Sequence, residues 1–254
     1  MISRVFALFI LILFVNFSFA LEPIDTDGPD FVESSEVVPL GYFQYEFDVG
    51  SNKSSRSGST LAEFNSPLLI RYGFSENWEL RIASDGYIHR DKEDGFGNTS
   101  FGLKYHSLDK DPNRALPSIS WIAHFQTPIA SPAFKNNAIL PSFRSVLTWE
   151  LPSDLALGLM PGIASQINEA NQTYTAGIFG AVLNKRLSSN ARVFVELSIP
   201  TLSKSSENGV VQSADIGSAY LVNNDLQAGF RAGYGLNSNS PKNYFLFEID
   251  QRFN

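Results

Sequence analysis

The sequence predicts an all-β protein, an antiparallel up-and-down transmembrane β-barrel of about 12 strands. Three observations carry that reading. Apolar and polar residues alternate with a period of two through most of the chain after Gly41, as strands with two unlike faces require. The segments are joined by connections that fall into a short set and a long set, the asymmetry of turns and loops at the two ends of a barrel. The apolar rows are bulky, whereas the polar rows mix charges of both signs with Gly, Ser and Gln.

Composition removes the main rivals. With 43% hydrophobic, 13% aromatic and 18% charged residues in 254 positions, the chain is too apolar for a disordered one. After residue 20 no apolar run approaches the ~20 residues of a spanning helix. The formal charge of −7, from 19 basic and 26 acidic residues, is opposite to the basic footprint of a nucleic-acid binder, so no nucleic acid is expected as a partner. The chain has no cysteine, which excludes disulfides, thiolate metal sites, a cysteine nucleophile and a lipid-modified N-terminal cysteine.

Taken in order, Arg4 precedes an apolar run from Val5 to Ser18 that only Asn16 interrupts, and Ser18-Phe19-Ala20 supplies a small-residue cleavage pattern. Residues 1–20 therefore read as a signal peptide cut after Ala20. The run is too short for the ~17 or more residues of a membrane anchor. Residues 21–40, LEPIDTDGPDFVESSEVVPL, hold Glu22, Asp25, Asp27, Asp30, Glu33 and Glu36, three prolines and no base. The spacing of Asp25, Asp27 and Asp30 lacks the fifth-position and terminal bidentate ligands of a calcium loop, and a solvated acidic lead-in is expected.

The barrel domain is expected over residues 41–254. In GYFQYEFDV, Phe43, Tyr45, Phe47 and Val49 share one face, with Gln44, Glu46 and Asp48 on the other. The pattern recurs over residues 60–73, 78–88, 98–106, 117–127, 142–151, 155–165, 173–184, 191–200, 210–222, 225–235 and 243–253, which makes 12 strands. Trp78, Leu80 and Ile82 oppose Glu79, Arg81 and Ala83; Val193, Val195, Leu197 and Ile199 oppose Arg192, Phe194, Glu196 and Ser198. Pro67 and Pro161 fall inside strands, where each deletes a ladder donor and implies a bulge or a shifted boundary.

FSEN, PSD, KRLSSN and NN are short connections, with SLDKDPNRAL a longer member of the same set; GSNKSSRSGS, HRDKEDGFG, PIASPAFKNN, INEANQ, TLSKSSENG and LNSNSPK form the other. Twelve strands place both termini on the side of the short set. A soluble lipocalin-like binding barrel would show the same alternation. However, twelve bulky apolar rows would overfill the interior of the ~8-stranded barrels that side chains can pack, whereas lipid accepts an apolar row of any circumference. Aromatics near strand ends, among them Phe43, Tyr72, Trp78, Tyr105, Trp121, Tyr244 and Phe253, suit interfacial girdles. The last strand, YFLFEIDQRFN, is similar to the aromatic-ended strand read by the outer-membrane assembly machinery, with Asn254 following the final phenylalanine.

Residues 25–36, DTDGPDFVESSE, with SPLLIRYGFSENWELRI (66–82) and NTSFGLKY (98–105), carry a family resemblance. The chain resembles, from about Glu22 to its end, the outer-membrane transporter family linked to a meta-pathway of phenol degradation. One position departs: Gly28 stands where that family usually has a basic residue. The resemblance implies a barrel in the bacterial outer membrane that passes small, aromatic or hydrophobic molecules. Its partners would be outer-membrane lipid, the assembly machinery and a small-molecule solute.

No catalytic constellation competes with this reading. A lipid hydrolase would need a serine paired with a histidine; His124 shares a face with Ser120, but four residues along a strand span ~13 Å. No G-x-S-x-G elbow is present, the three histidines are scattered, and no cofactor or metal is expected. By strand direction Asp85, Arg144, Glu196, Asp215, Arg231 and Glu248 fall nearest mid-height and are the expected lumen or substrate-path residues. Two basic against four acidic groups would make a pore mildly cation-selective. The alternative to an open pore is a closed structural barrel, plugged by its own side chains or by residues 21–40.

Overall fold

A wall with one apolar and one polar face is stable only when different media cover the two faces, and backbone in lipid must satisfy every hydrogen bond within the wall. The computed structural model describes residues 22–56, 59–168 and 170–254; the signal-peptide reading of residues 1–20 lies outside the described residues. The strands are β1 (Phe43–Arg56), β2 (Ser59–Ser75), β3 (Trp78–Arg90), β4 (Glu93–Phe96), β5 (Thr99–Leu108), β6 (Ser118–Thr127), β7 (Leu140–Leu151), β8 (Leu155–Ile167), β9 (Thr173–Arg186), β10 (Ala191–Leu202), β11 (Val210–Asn223), β12 (Leu226–Gly235) and β13 (Asn243–Phe253). β4 is a short arm paired with β3 above the wall. The remaining 12 pair antiparallel in sequence order and close when β1 meets β13, from Phe43↔Phe253 to Lys53↔Asn243 without a shift.

All twelve expected segments are strands. β1 and β2 run further than expected, because the polar stretch read as the loop GSNKSSRSGS is strand as far as Arg56 and again from Ser59, and HRDKEDGFG contains the whole of β4. Backbone pairing needs no apolar side chains once a hairpin has left the lipid, so alternation fades before the ladder does. Pro67 lies in an irregularity where Ser66 faces both Gly86 and Tyr87. Pro161 causes no slip; it drops out of the β7 ladder between the pairs Arg144↔Gly162 and Leu147↔Leu159, and still pairs with Phe179.

The outward face is a continuous apolar band. Leu80 (47% exposed), Val195 (54%), Ile216 (61%) and Phe247 (56%) lie open on it, an exposure that only lipid makes stable. At the short-turn end the aromatics stack across strands: Phe43 on Tyr72 at 4.4 Å between ring centres and Trp78 on Tyr105 at 4.5 Å. Tyr244 departs from the expected girdle and points inward, where its hydroxyl meets Arg231 (2.8 Å), as its even position beside Glu248 requires.

Arginine placed at Leu80, Val195 or Phe247 should cost about 2–4 kcal/mol of folding free energy near the bilayer midplane, and arginine at inward Ala83 less. Equilibrium folding into lipid vesicles against urea measures this. Equal costs at outward and inward positions would contradict the assignment of faces.

Candidate functional site

The strands turn their polar rows inward, and the lumen they enclose is occupied by the chain's own residues 22–40. This segment enters at the short-turn end, where the Ile24 amide donates to the Asn224 carbonyl (2.8 Å) and Arg252 to that of Glu22 (2.9 Å). Its tip is Phe31 and Val32, whose amides donate to the two carboxylate oxygens of Glu196 on β10 (2.9 and 2.8 Å). It then returns until Leu40 bridges Gly73 beside the β2–β3 turn. The expectation of a solvated lead-in is corrected: Ile24, Asp27, Val32, Ser35 and Val38 are buried. An acidic segment without bases cannot form a core alone, but it complements a wall that presents unpaired cations.

Asp27 is the main anchor. Its carboxylate meets Arg81 Nη1 (2.6 Å) and Lys104 Nζ (2.7 Å), with Arg71 Nη1 at 3.6 Å. All four groups are at most 5% exposed. Burial opposes ionisation of Asp27, but the three cations outweigh it and hold the carboxyl well below the usual carboxylate range. Glu33 bridges Arg81 (2.8 Å) and Arg144 (2.6 Å), and Asp30 pairs with Arg192 (2.8 Å). Glu79 of the wall holds Arg71 (2.9 Å) and Arg81 (2.7 Å) and accepts the Val38 amide (2.9 Å).

The tip is held by packing. Ile122, Val146, Met160, Val182 and Phe194, one inward residue from each strand from β6 to β10, form an apolar belt on which Val32 and Phe31 sit. Glycine at position 180 makes this possible, because a Cβ there would lie 2.6 Å from Val32 Cγ2 and 3.0 Å from Phe31 Cδ1. The wall thus has a basic sector (Arg71, Arg81, Lys104, Arg144), this apolar belt, and an acidic sector from β10 round to β1. Beside the plug a cavity of about 450 Å³ opens at the short-turn end, lined in part by Asp30, Glu33, Val182 and Arg192.

The mid-height residues picked from the sequence separate in space. Arg144 and Glu196 hold the plug directly, and Arg231 donates to Pro29 O (3.4 Å) while lying 3.5 Å from Asp215. Glu248 lies under Gly28, where a Cβ would collide with its carboxylate. Asp85 stands apart, accepting the Asn98 amide (3.0 Å) towards the long-loop mouth. The reading missed Arg71, Glu79, Arg81 and Lys104 as site residues, although all lie on the polar rows. The available signal was charge complementarity between those rows and the base-free residues 21–40.

His124 sits between two arginines, with Nε2 3.0 Å from Arg81 Nε and Nδ1 3.0 Å from Arg144 Nη2, so neither nitrogen is free to serve as a base. Ser120 instead neighbours His106 (3.3 Å), whose other nitrogen meets Asp109 (2.9 Å). The Ser120 hydroxyl donates to the Ser35 carbonyl, which also lies 2.9 Å from His106 Nδ1. Both side chains therefore serve to hold the returning arm of the plug.

A family model described as "Putative MetA-pathway of phenol degradation" matches residues 26–253. No curated protein matches the chain by sequence. Among solved structures, the COG4313 outer membrane channel from Pseudomonas putida F1 superposes with a TM-score of 0.66 at 9% identity, over 89% of this chain and 99% of that one. The NanC porin gives 0.54 at 11% identity, over 82% and 99%. The KdgM porin, solved in complex with disordered oligogalacturonate, gives 0.53 at 9% identity, over 84% and 98%. At these identities the likeness is one of fold.

With no native cysteine, Ser35→Cys makes a single reporter of plug release. Its maleimide labelling should be slow and should accelerate about a hundredfold or more when Asp27→Ala strands buried cations, a loss of ~3 kcal/mol or more. Because the Asp27 carboxyl is held below its unfolded value of about 3.9, its stabilisation is present above that pH and is lost only as pH falls through the depressed folded value. Its contribution should therefore be undiminished between about pH 8 and pH 5, so the gap in labelling rate between the parent and Asp27→Ala should stay constant over that range. A gap that closes by pH 5 would show that Asp27 is not the anchor.

Proposed function

The chain belongs to the family just described, matched over residues 26–253, and from that premise we propose a channel closed at rest by its own residues 22–40. It is a β-barrel of the bacterial outer membrane. The solutes it passes are small aromatic or hydrophobic molecules, and it performs no catalysis. The observation that carries this reading is the seat of the plug tip. Phe31 and Val32 cover an apolar belt inside an otherwise polar lumen, and a belt vacated by the tip would offer a small apolar solute the same contacts.

The polar surroundings suit a transport site better than a storage site. An apolar solute on the belt would be bordered by Arg144 and Glu196, each two residues along its strand from Val146 or Phe194, and Asp215, Arg231, Glu248 and Asp85 would lie along the remaining path. The family's link to phenol degradation agrees with an aromatic solute. A closed structural barrel is the second reading, favoured by the density of ion pairs around Asp27.

Planar-bilayer recording of the refolded mature chain separates the two. The full chain should conduct little, and deletion of residues 22–40 should raise single-channel conductance several-fold. In the deletion variant, neutralising Glu196, Asp215 and Glu248 should shift the reversal potential towards anion preference, and neutralising Arg144 and Arg231 towards cations. Liposome uptake of phenol should follow conductance. A folded deletion variant that neither conducts nor passes phenol would sink the channel reading in favour of the structural barrel.

A further inference from the structure

The seam that closes the barrel carries a problem that the plug does not solve. In the β1–β13 register Glu46 faces Asp250 and Asp48 faces Glu248, so two like-charged pairs lie directly opposite one another, an arrangement that destabilises a sheet unless the charge is compensated. Carboxylate oxygens of Glu46, Glu248 and Asp250 lie within 4.8 Å of one another. These three residues are 4%, 3% and 0% exposed. Arg71 reaches Glu46 at 2.8 Å, but among the described residues no lysine or arginine forms an ion pair with Asp48, Glu248 or Asp250.

The oxygens themselves point to a missing partner. Glu248 Oε2, Asp250 Oδ1 and Asp48 Oδ1 are buried without a hydrogen bond. Buried carboxylates left in this condition are costly. The plug brings no cation to them: the Asp27 amide donates to Glu46 (3.1 Å), and Gly28 has no side chain to place against the Glu248 carboxylate. We propose that this seam is a cation site, in which Glu46, Glu248 and Asp250, with Asp48 beside them, hold one hard divalent cation.

The donor set selects the class. All-oxygen carboxylate ligands suit calcium, magnesium or manganese, and not the softer metals that take sulfur or imidazole. Calcium fits better than magnesium, since carboxylates drawn from two strands supply an irregular set and calcium tolerates irregular coordination where magnesium demands a near-regular octahedron. The site does not depend on whether the lumen conducts.

The test uses the full mature chain refolded in zwitterionic detergent, stripped with chelator and titrated calorimetrically with calcium alone near pH 7.5. One saturable site per chain is expected, weakened about a hundredfold or more in Glu248→Gln/Asp250→Asn. That variant removes charge repulsion and should fold at least as well as the parent, which its mobility shift on heating in gels checks. Asp48→Asn/Glu248→Gln, which keeps Asp250 charged and leaves the plug untouched, should weaken binding as well. Absence of saturable calcium binding in the folded parent would overturn the proposal and leave protons to neutralise the seam. Binding that survives both variants unchanged would overturn it too, by placing the ion elsewhere.

Discussion

The contact of Asp27 with Arg71, Arg81 and Lys104 is the interaction on which the interior of this barrel depends. A wall whose outside faces lipid must send its polar residues inward, and a lumen this narrow brings cations from neighbouring strands close together. Three buried positive groups on β2, β3 and β5 cannot share one place without a counter-ion. Glu79 supplies part of the compensation from the wall, at 2.9 Å from Arg71 and 2.7 Å from Arg81. The plug supplies the rest, and it thereby becomes part of the fold instead of an appendage.

Once Asp27 is fixed, the course of the segment follows from the division of the wall into sectors. Glu33 continues along the basic side to Arg81 and Arg144. Between these two acids the chain crosses the lumen and lays Phe31 and Val32 on the apolar belt, while Glu196 takes the two amides that the turn leaves free. Here an acidic side chain binds backbone, which lets the acidic sector accept an acidic segment. At the β1–β13 seam the complementarity fails, and there Gly28 places no side chain against Glu248.

The likeness of this barrel to other outer-membrane channels lies in its architecture. A superposition that spans 99% of the Pseudomonas putida channel at 9% identity shows how little a barrel wall constrains sequence, since alternation and closure can be met by almost any apolar and polar residues. What distinguishes one such barrel from another is the chemistry of the inward rows and of whatever occupies the lumen. The specific features of this chain are therefore its basic sector, its apolar belt and its acidic seam.

The wall was legible in the sequence because a period of two is a local property: each residue's face follows from its neighbours', and the parity of Glu79, Arg81, Phe194 and Glu196 was read correctly from single segments. The anchoring role of Lys104 and Arg71 was not legible, because an inward charge can line water, pair across the lumen or hold a plug, and the choice depends on residues up to 77 positions away. For the same reason residues 21–40 looked solvated: six acids without a base describe a soluble segment until the cations of β2, β3, β5 and β7 are brought round it. The sequence by itself determined the strands, their faces and the barrel they build. The closure of the seam and the filling of the lumen were decided only by tertiary structure, because opposite charges on distant strands find one another only after the barrel has closed.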